Sequence, residues 1–219
     1  RIDDTSIVCL NLDPIPIGVT SSDSRTYSYT WTRNGTAFLG NIPGVDSTIL
    51  IGLGGEYIVT ATTKDGSNCS RSLSITIAES KIATVEKKDI VVTDLNAGPN
   101  NTITVLTETL GIGDYEYAID DESGPYQDEP LFELVRPGIH TIYIRDKNNC
   151  GIAKIDVSVI GYKKFFTPNG DGIHDTWKVL GIRADFQSKS KVYIFDRYGK
   201  LLKELDPLST GWDGTFNGK

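Results

Sequence analysis

The chain has 219 residues, of which 38% are hydrophobic and 23% charged, as is typical of a folded protein. Its 29 acidic residues outnumber the 22 basic ones, and the resulting net charge of −7 argues against binding to nucleic acid or to an anionic membrane surface. No stretch approaches the roughly 20 apolar residues of a membrane-spanning helix. Because the chain contains no Met, we expect a processed product or a fragment of a longer protein.

The first 80 residues alternate between apolar and polar side chains, which predicts β-strands. Tyr27, Tyr29 and Trp31 fall on one face of such a strand. Asn34-Gly35 follows directly and predicts a two-residue hairpin turn, because both turn positions require a positive φ. The same alternation predicts strands at residues 57–62 and 73–77. Short strands separated by regular turns indicate a β-sandwich.

The pattern then repeats. Residues 55–60 resemble residues 138–143, and each segment continues to an Asn-Cys pair, at 68–69 and at 149–150. The two Cys lie 81 positions apart, a spacing that fits tandem sandwiches and is too long for a solenoid. Charged, weakly alternating segments at 78–88 and 161–164 mark the boundaries. We therefore predict an all-β protein of tandem immunoglobulin-like β-sandwich modules, with modules at residues 1–80, 81–160 and 161–219.

Three cysteines leave at least one thiol unpaired within the chain. The order Cys9, Trp31, Cys69 is similar to the Cys…Trp…Cys order of immunoglobulin domains. We predict a Cys9–Cys69 disulfide that clamps the first strand to the last turn of module one, in an oxidising compartment. Cys150 would then be free or paired outside the chain. The alternative is three reduced, buried thiols.

Catalytic patterns are missing from the sequence. The two His residues, His140 and His174, lie far apart, and there is no nucleophile elbow, phosphate loop or His-Glu-x-x-His pattern. The acidic pairs at 120–121 and 128–129 flank Gly124-Pro125 and are typical of solvated turns. We therefore predict that this region is not an enzyme.

The last third of the chain carries three motifs: FFTPNGDGIHDTW at 165–177, VYIFDRYGK at 192–200 and GWDGTFNGK at 211–219. Their order and spacing resemble the gliding-motility-associated C-terminal domain, the type B sorting domain of the bacterial type IX secretion system. The two preceding modules resemble the immunoglobulin-like repeats of large surface adhesins. The resemblance assigns the sorting role to Thr167, Pro168, Asn169, Gly170, Asp171, Gly172, Asp196, Arg197, Tyr198, Gly199, Trp212, Asp213 and Gly214.

This resemblance implies a secreted protein at the cell surface or outer membrane, of which this is the non-catalytic C-terminal region. A gliding-motility adhesin is the expected protein. Its implied partners are the type IX translocon and an outer-membrane PorP/SprF-like protein, with a surface polysaccharide or the substratum as the adhesive target. The alternatives are the accessory region of a secreted hydrolase with polysaccharide-binding modules, or a module whose open edge accepts a strand.

Family members continue beyond the Asn-Gly-Lys motif with further strands, so we expect the third module to be incomplete at its C-terminus. Those strands would cover sheet edges that are otherwise open. Residues 192–195 are apolar on both faces of their strand, which predicts burial on both sides. Trp177 and Trp212 are expected in the core.

The segment at 169–175 also resembles a Ca²⁺ loop. Asn169, Asp171 and Asp175 would supply side-chain oxygens, and Ile173 a backbone carbonyl. Lys178 stands where the last Glu ligand of an EF-hand belongs, so outside oxygens would be needed. The alternative is a rigid polar turn in which the same side chains accept bonds from backbone amides. Calcium is the one cofactor that the sequence suggests.

Overall fold

A computed structural model describes residues 7–39, 47–95, 100–184 and 190–216. Two compact units divide the chain: unit one comprises Arg1–Ala83, Gly111–Tyr115 and Arg145–Ala153, and unit two comprises Thr84–Leu110, Glu116–Ile144 and Lys154–Lys219. Strands account for nearly all regular structure in the described residues, which confirms the prediction of an all-β fold. Among those residues, no helix has the length and apolar character needed to cross a membrane.

Unit one is a β-sandwich. Its larger sheet has five strands in the order β1-β7-β6-β3-β4, and its smaller sheet pairs β2 with β5. The β1–β7 pair is parallel, and the other pairs are antiparallel. The strands are β1 (Ile7–Cys9), β2 (Ile15–Gly18), β3 (Tyr27–Arg33), β4 (Thr36–Phe38), β5 (Thr48–Ile51), β6 (Gly55–Thr63) and β7 (Ser70–Ser80).

The core of unit one lies between these two sheets. Trp31 and Val59 are opposite each other in the register of β3 and β6, so their side chains share the inner face. The hydroxyl of the buried Tyr57 donates to the carbonyl of Leu53 at 2.7 Å, which satisfies its one polar atom. The buried core residues are Val8, Ile17, Trp31, Ile49, Ile51, Tyr57, Val59 and Ile77.

The predicted hairpin of unit one is confirmed. Arg33 pairs with Thr36 across a two-residue loop, and Asn34 and Gly35 have φ of 48° and 78°. Gly35 supplies a left-handed conformation that a residue with a Cβ adopts only under strain. The Asn-Gly pair therefore fixes the register of β3 against β4.

Most of unit two forms a second sandwich, followed by residues 160–216. Its three-stranded sheets have the orders β10-β12-β13 and β11-β9-β8, and two-stranded pairs β14–β15 and β16–β17 come after them. The strands are β8 (Ile90–Thr93), β9 (Asn101–Val105), β10 (Tyr115–Ile119), β11 (Leu131–Val135), β12 (Gly138–Asp146), β13 (Ile152–Val159), β14 (Gly161–Tyr162), β15 (Val179–Leu180), β16 (Val192–Phe195) and β17 (Leu201–Leu205).

The structure also shows the internal repeat that the sequence predicts. Hairpins β6–β7 and β12–β13 each contain an Asn at positive φ directly before a Cys, with Asn68 at 52° and Asn149 at 64°. Asn tolerates this conformation better than most residues that carry a Cβ. The two cysteines differ in their surroundings, since Cys69 is exposed and Cys150 is buried.

The predicted disulfide pairing is wrong. Cys9 bonds to Cys150, with their Cα atoms 5.3 Å apart, and Cys69 is the free thiol. The reason is the register of β1, because Cys9 lies opposite Ser80 at the end of β7, whereas Cys69 precedes the start of that strand. At a rise of roughly 3.3 Å per residue along β7, Cys69 lies more than about 30 Å from Cys9. This distance is far beyond the reach of a disulfide.

The surroundings of the disulfide explain the partner that Cys9 finds. The carboxylate of Asp146 is buried, and it accepts the Ser80 hydroxyl at 2.5 Å and the amide N–H of Asn148 at 2.8 Å. The Asn11 side chain donates to the carbonyl of Cys150 at 2.8 Å. These bonds hold the turn at 146–150 against the ends of β1 and β7 within unit one, so both sulfur atoms are already positioned.

Candidate sorting-signal site

The three motifs of the last third of the chain meet in one place. Trp177 of the first motif and Trp212 of the third form an isolated antiparallel bridge with two backbone hydrogen bonds of 2.8 Å. The rings of Phe166 and Trp212 have centroids 5.9 Å apart. The Nζ of Lys200, from the second motif, lies 4.5 Å from the centroid of the Phe216 ring in the third. We call this region the motif cluster.

The loop of the first motif is fixed by its own carboxylates. One oxygen of Asp175 accepts the amide N–H groups of Asn169 at 3.1 Å and Gly170 at 2.7 Å, and the other accepts that of Gly172 at 2.7 Å. Asp171 accepts the amide of Ile173 at 2.7 Å. The loop therefore closes on acceptors supplied by the chain itself, as in Asx turns.

The candidate calcium ligands lie in this loop, and their oxygens have protein partners. The side-chain amide of Asn169 donates to Asp171 at 2.8 Å, and this bond, followed by the backbone bond from Ile173, lowers the pKa of Asp171. The carbonyl of Ile173 accepts the Thr167 hydroxyl at 3.3 Å. Within the described residues, no three His, Cys, Asp or Glu side chains are grouped to hold a metal. The geometry favours the polar turn, and calcium stays a prediction.

The turn of the second motif is built on Asp196. Its side chain accepts the amides of Tyr198 at 2.8 Å and Lys200 at 2.9 Å, and its amide donates to the carbonyl of Lys200. Gly199 has φ of 81°, which closes the turn between β16 and β17. The turn thus exposes Arg197 and Tyr198 to solvent, while hydrogen bonds to the Asp196 side chain fix its backbone.

The prediction that β16 is buried on both faces is wrong. Val192 and Ile194 are partly buried, whereas Tyr193 and Phe195 on the opposite face are 49% and 56% exposed. Tyr198 in the adjoining turn is 81% exposed. We call Tyr193, Phe195 and Tyr198 the hairpin aromatics. The signal for them was present in the sequence, because residues 193 and 195 alternate with aliphatic neighbours, but alternation does not reveal which face is covered.

The third motif is a second carboxylate-capped turn. Asp213 accepts the backbone amide and the hydroxyl of Thr215, at 3.0 and 2.8 Å, and these bonds, the backbone bond first, lower the pKa of Asp213. Trp212 donates its indole N–H to the carbonyl of Thr215 at 2.8 Å. Trp177 and Trp212 are only partly buried, so both rings line the motif cluster rather than an enclosed core.

This arrangement agrees with the comparison against protein families. Residues 160–219 match the CHU_C Type IX secretion signal domain. The prediction of a sorting domain is thereby confirmed, and the chain is part of a secreted, cell-surface protein. We call residues 160–219 the signal domain.

The comparison with solved structures found similar folds at low identity. The fibronectin(III)-like modules of Clostridium thermocellum CbhA are 16% identical, with a TM-score of 0.36 over 73% of this chain and 93% of that one. Sidekick-1 immunoglobulin domains 1–5 are 11% identical, with a TM-score of 0.43 over 91% of this chain and 47% of that one. Murine CEACAM1b is 10% identical, with a TM-score of 0.38 over 70% and 94%. The comparison with curated proteins found no match.

Proposed function

We propose that the signal domain directs an adhesin through the type IX system, and that the two sandwiches are non-catalytic spacers that hold an adhesive region away from the cell. The observation that carries this proposal is the motif cluster, in which three separate motifs converge on turns fixed by carboxylates. A sorting signal that is recognised by a receptor needs a surface of constant shape. The carboxylate-fixed turns provide such a surface without a large buried core.

The hairpin aromatics form the contact with an outer-membrane partner of the PorP/SprF-like class. Exposed aromatic side chains are the residue type that most often dominates binding energy at protein interfaces. The backbone beneath them is held by Asp196, so little ordering is required when they are covered. Two independent observations therefore support this contact: the side chains are exposed aromatics, and the backbone of the turn is fixed.

The test uses the full chain with a reporter at its N-terminus, expressed in a bacterium that has a type IX system. The double variant Tyr193→Ser/Tyr198→Ser should lose most surface display and accumulate in the periplasm. Leu208→Ser is the matched control, since Leu208 is 53% exposed in the same domain but follows the end of β17, outside the β16–β17 hairpin. Normal display of the double variant, measured by surface labelling of intact cells, would contradict the assigned contact.

A further inference from the structure

The free thiol of Cys69 lies in a turn that is the structural counterpart of the turn at Cys150. Each Cys directly follows an Asn at positive φ, in hairpin β6–β7 or in hairpin β12–β13. The amide N–H of Cys69 donates to the Thr63 hydroxyl at 3.1 Å, and that of Cys150 donates to the Asp146 carboxylate at 3.4 Å. We call them the Cys69 turn and the Cys150 turn. In both, the last inward side chain of the preceding strand holds the backbone of the Cys.

The loop beside each turn is matched as well. The amide of Lys64 donates to the carbonyl of Thr26 at 2.9 Å, and the amide of Lys147 donates to the carbonyl of Asp114 at 2.8 Å. A strand begins directly after each of these two acceptors, β3 in one case and β10 in the other, and its first residue is a tyrosine. The two hairpins therefore end in the same backbone arrangement.

The two turns differ in what they contact. Residues 145–153, which include the Cys150 turn, belong to unit one. There Cys150 is 1% exposed and is bonded to Cys9 at the end of β1. In the Cys69 turn, by contrast, residues 64–70 are all exposed. The same element is thus buried against the end of a sandwich in one hairpin and open to solvent in the other.

The tyrosine beside each turn shows the same contrast. The Tyr115 hydroxyl donates at 3.0 Å to the carbonyl of Lys81, directly after the end of β7. The Tyr27 hydroxyl donates instead to Asp23 in its own loop, at 2.8 Å. Arg25 donates to the same carboxylate at 2.9 and 2.7 Å, so Asp23 keeps a charged partner if Tyr27 turns to another acceptor. Tyr27 is therefore able to bond an incoming backbone carbonyl as Tyr115 does.

The direction of β1 indicates on which side such a partner lies. β1 pairs in parallel with the last residues of β7, with Ile7 opposite Ala78 and Cys9 opposite Ser80. Parallel strands run in the same direction, so the chain enters β1 from the side on which β7 begins, directly after Cys69. A sandwich that precedes β1 on the same polypeptide is therefore on the side of the Cys69 turn.

From these matches we infer that the Cys69 turn docks against a further sandwich that precedes β1 on the same polypeptide, and that Cys69 forms a disulfide with a Cys at the end of that sandwich's first strand. The end of β1 shows what this partner carries. Cys9 bonds to Cys150, and Asn11, two positions later, donates from its side chain to the carbonyl of Cys150 at 2.8 Å. We expect the same Cys and Asn in the partner strand. A second copy of this chain fits less well, because its Cys9 is already bonded.

Formation of this disulfide is a two-electron oxidation. The two thiols lose two protons and two electrons as the S–S bond forms, and an oxidised dithiol protein of the periplasm accepts them as its own disulfide becomes two thiols. The Cys9–Cys150 bond requires an oxidant of the same class. The inference does not rest on the sorting role, because the bond is mapped chemically in whichever compartment the protein is found.

Disulfide mapping of the whole protein tests this inference, since Cys69 is a free thiol in the 219-residue chain. The protein is isolated from the bacterium that produces it, with free thiols blocked by N-ethylmaleimide. Proteolysis without reduction should yield the Cys69 peptide linked to a peptide that precedes residue 1 on the same polypeptide. The Cys69→Ser variant should make one Cys in that preceding region reactive. Cys150→Ser is the matched control, because it releases Cys9 and should leave the Cys69 link intact.

Electrophoresis with and without reduction shows whether the link lies within one polypeptide, since only a link between chains changes the apparent mass to that of a larger species. Three results would each overturn the inference: a maleimide-labelled Cys69 in the whole protein, a Cys69–Cys69 link between two copies, or a link from Cys69 to a different protein or to a small thiol. The second result would identify the Cys69 turn as a dimer contact instead.

Discussion

The sandwich of unit one and the signal domain are stabilised in different ways. The sandwich encloses eight buried apolar side chains between its two sheets. In the signal domain, by contrast, Gly161 and Leu205 are the only buried positions among the described residues. Its motif loops are instead closed by Asp171, Asp175, Asp196 and Asp213, whose carboxylates accept backbone amides.

This difference shows what each region is suited to do. Burial of apolar area supplies most of the stability of a domain, so the sandwich is suited to a mechanical spacer. Local hydrogen bonds contribute less individually but define the shape of a turn. The signal domain leaves the hairpin aromatics on the surface, where another protein can contact them.

The largest expected effect is the loss of a core side chain in unit one. Trp31→Ala should lower the free energy of unfolding by about 3–5 kcal/mol, because the variant loses burial and leaves a cavity. Tyr198→Ala removes a mostly exposed aromatic side chain from the signal domain and should change it by less than about 0.5 kcal/mol. Urea unfolding followed by circular dichroism measures both. Similar losses of unfolding free energy in the two variants would contradict the proposed difference between the two regions.

Removal of the disulfide should come next. The double variant Cys9→Ser/Cys150→Ser opens a loop with a sequence separation of 141 and should lose about 2–5 kcal/mol. Cys69→Ser should be close to neutral, because that thiol is exposed and free. Thiol titration of the denatured, unreduced protein should find one reactive thiol, and peptide mapping should place it at Cys69. A label on Cys150 would refute the pairing.

Alanine substitutions at two glycines of the signal domain distinguish the cost of backbone strain from the cost of a steric clash. A Cβ on Gly211, at φ of 107°, would lie 2.6 Å from the carbonyl oxygen of Trp177, whereas one on Gly199, at φ of 81°, would meet nothing within 4 Å. Gly211→Ala should therefore destabilise by about 3 kcal/mol. Gly199→Ala should destabilise by only about 1 kcal/mol. Thermal melting compares them, and equal losses would show that the Trp177–Trp212 bridge is not a tight contact.

The first-motif loop gives a smaller effect that also decides the calcium question. Asp175→Asn weakens three bonds to backbone amides and should cost about 1–2 kcal/mol, as the loss of a helix cap does. If the loop is a polar turn, the melting temperature is the same in millimolar calcium and in chelator, and the variant is lowered equally in both. A rise with calcium that Asp171→Ala abolishes would instead establish the ion.

Acid should weaken the signal-domain turns slightly. The pKa values of Asp171 and Asp213 are both lowered from 3.8, so each carboxylate binds protons less readily in the folded chain than in the unfolded one. Their stabilising contribution is therefore present above about pH 4 and is lost as the pH falls through the folded pKa. Carboxyl-carbon NMR titration should place both midpoints below 3.8, and ordinary midpoints would contradict the capped turns.

The sequence was sufficient for features that depend on local chemistry. Alternation at Tyr27, Tyr29 and Trp31, and the φ requirements of Asn34-Gly35, identified a strand and its hairpin correctly. The location of the sorting domain was predicted from the resemblance of the three motifs at 165–219, in their order and spacing, to a known family, and the family match at residues 160–219 confirms it.

Features that depend on distant contacts were not predictable. The partner of Cys9 follows from the parallel pairing of β1 with the far end of β7, which no local pattern encodes. The exposure of Tyr193 and Phe195 depends on which elements cover β16, and their apolar character alone suggested burial.

The most direct test of the central claim is surface display with and without residues 160–219. The reporter-tagged full chain and a chain that ends at residue 159 are expressed side by side in a bacterium that has a type IX system, and intact cells are treated with protease. The account predicts that only the full chain is cleaved, while the shortened chain remains folded and protected in the periplasm. Equal cleavage of both would contradict the assignment of the secretion address to the signal domain.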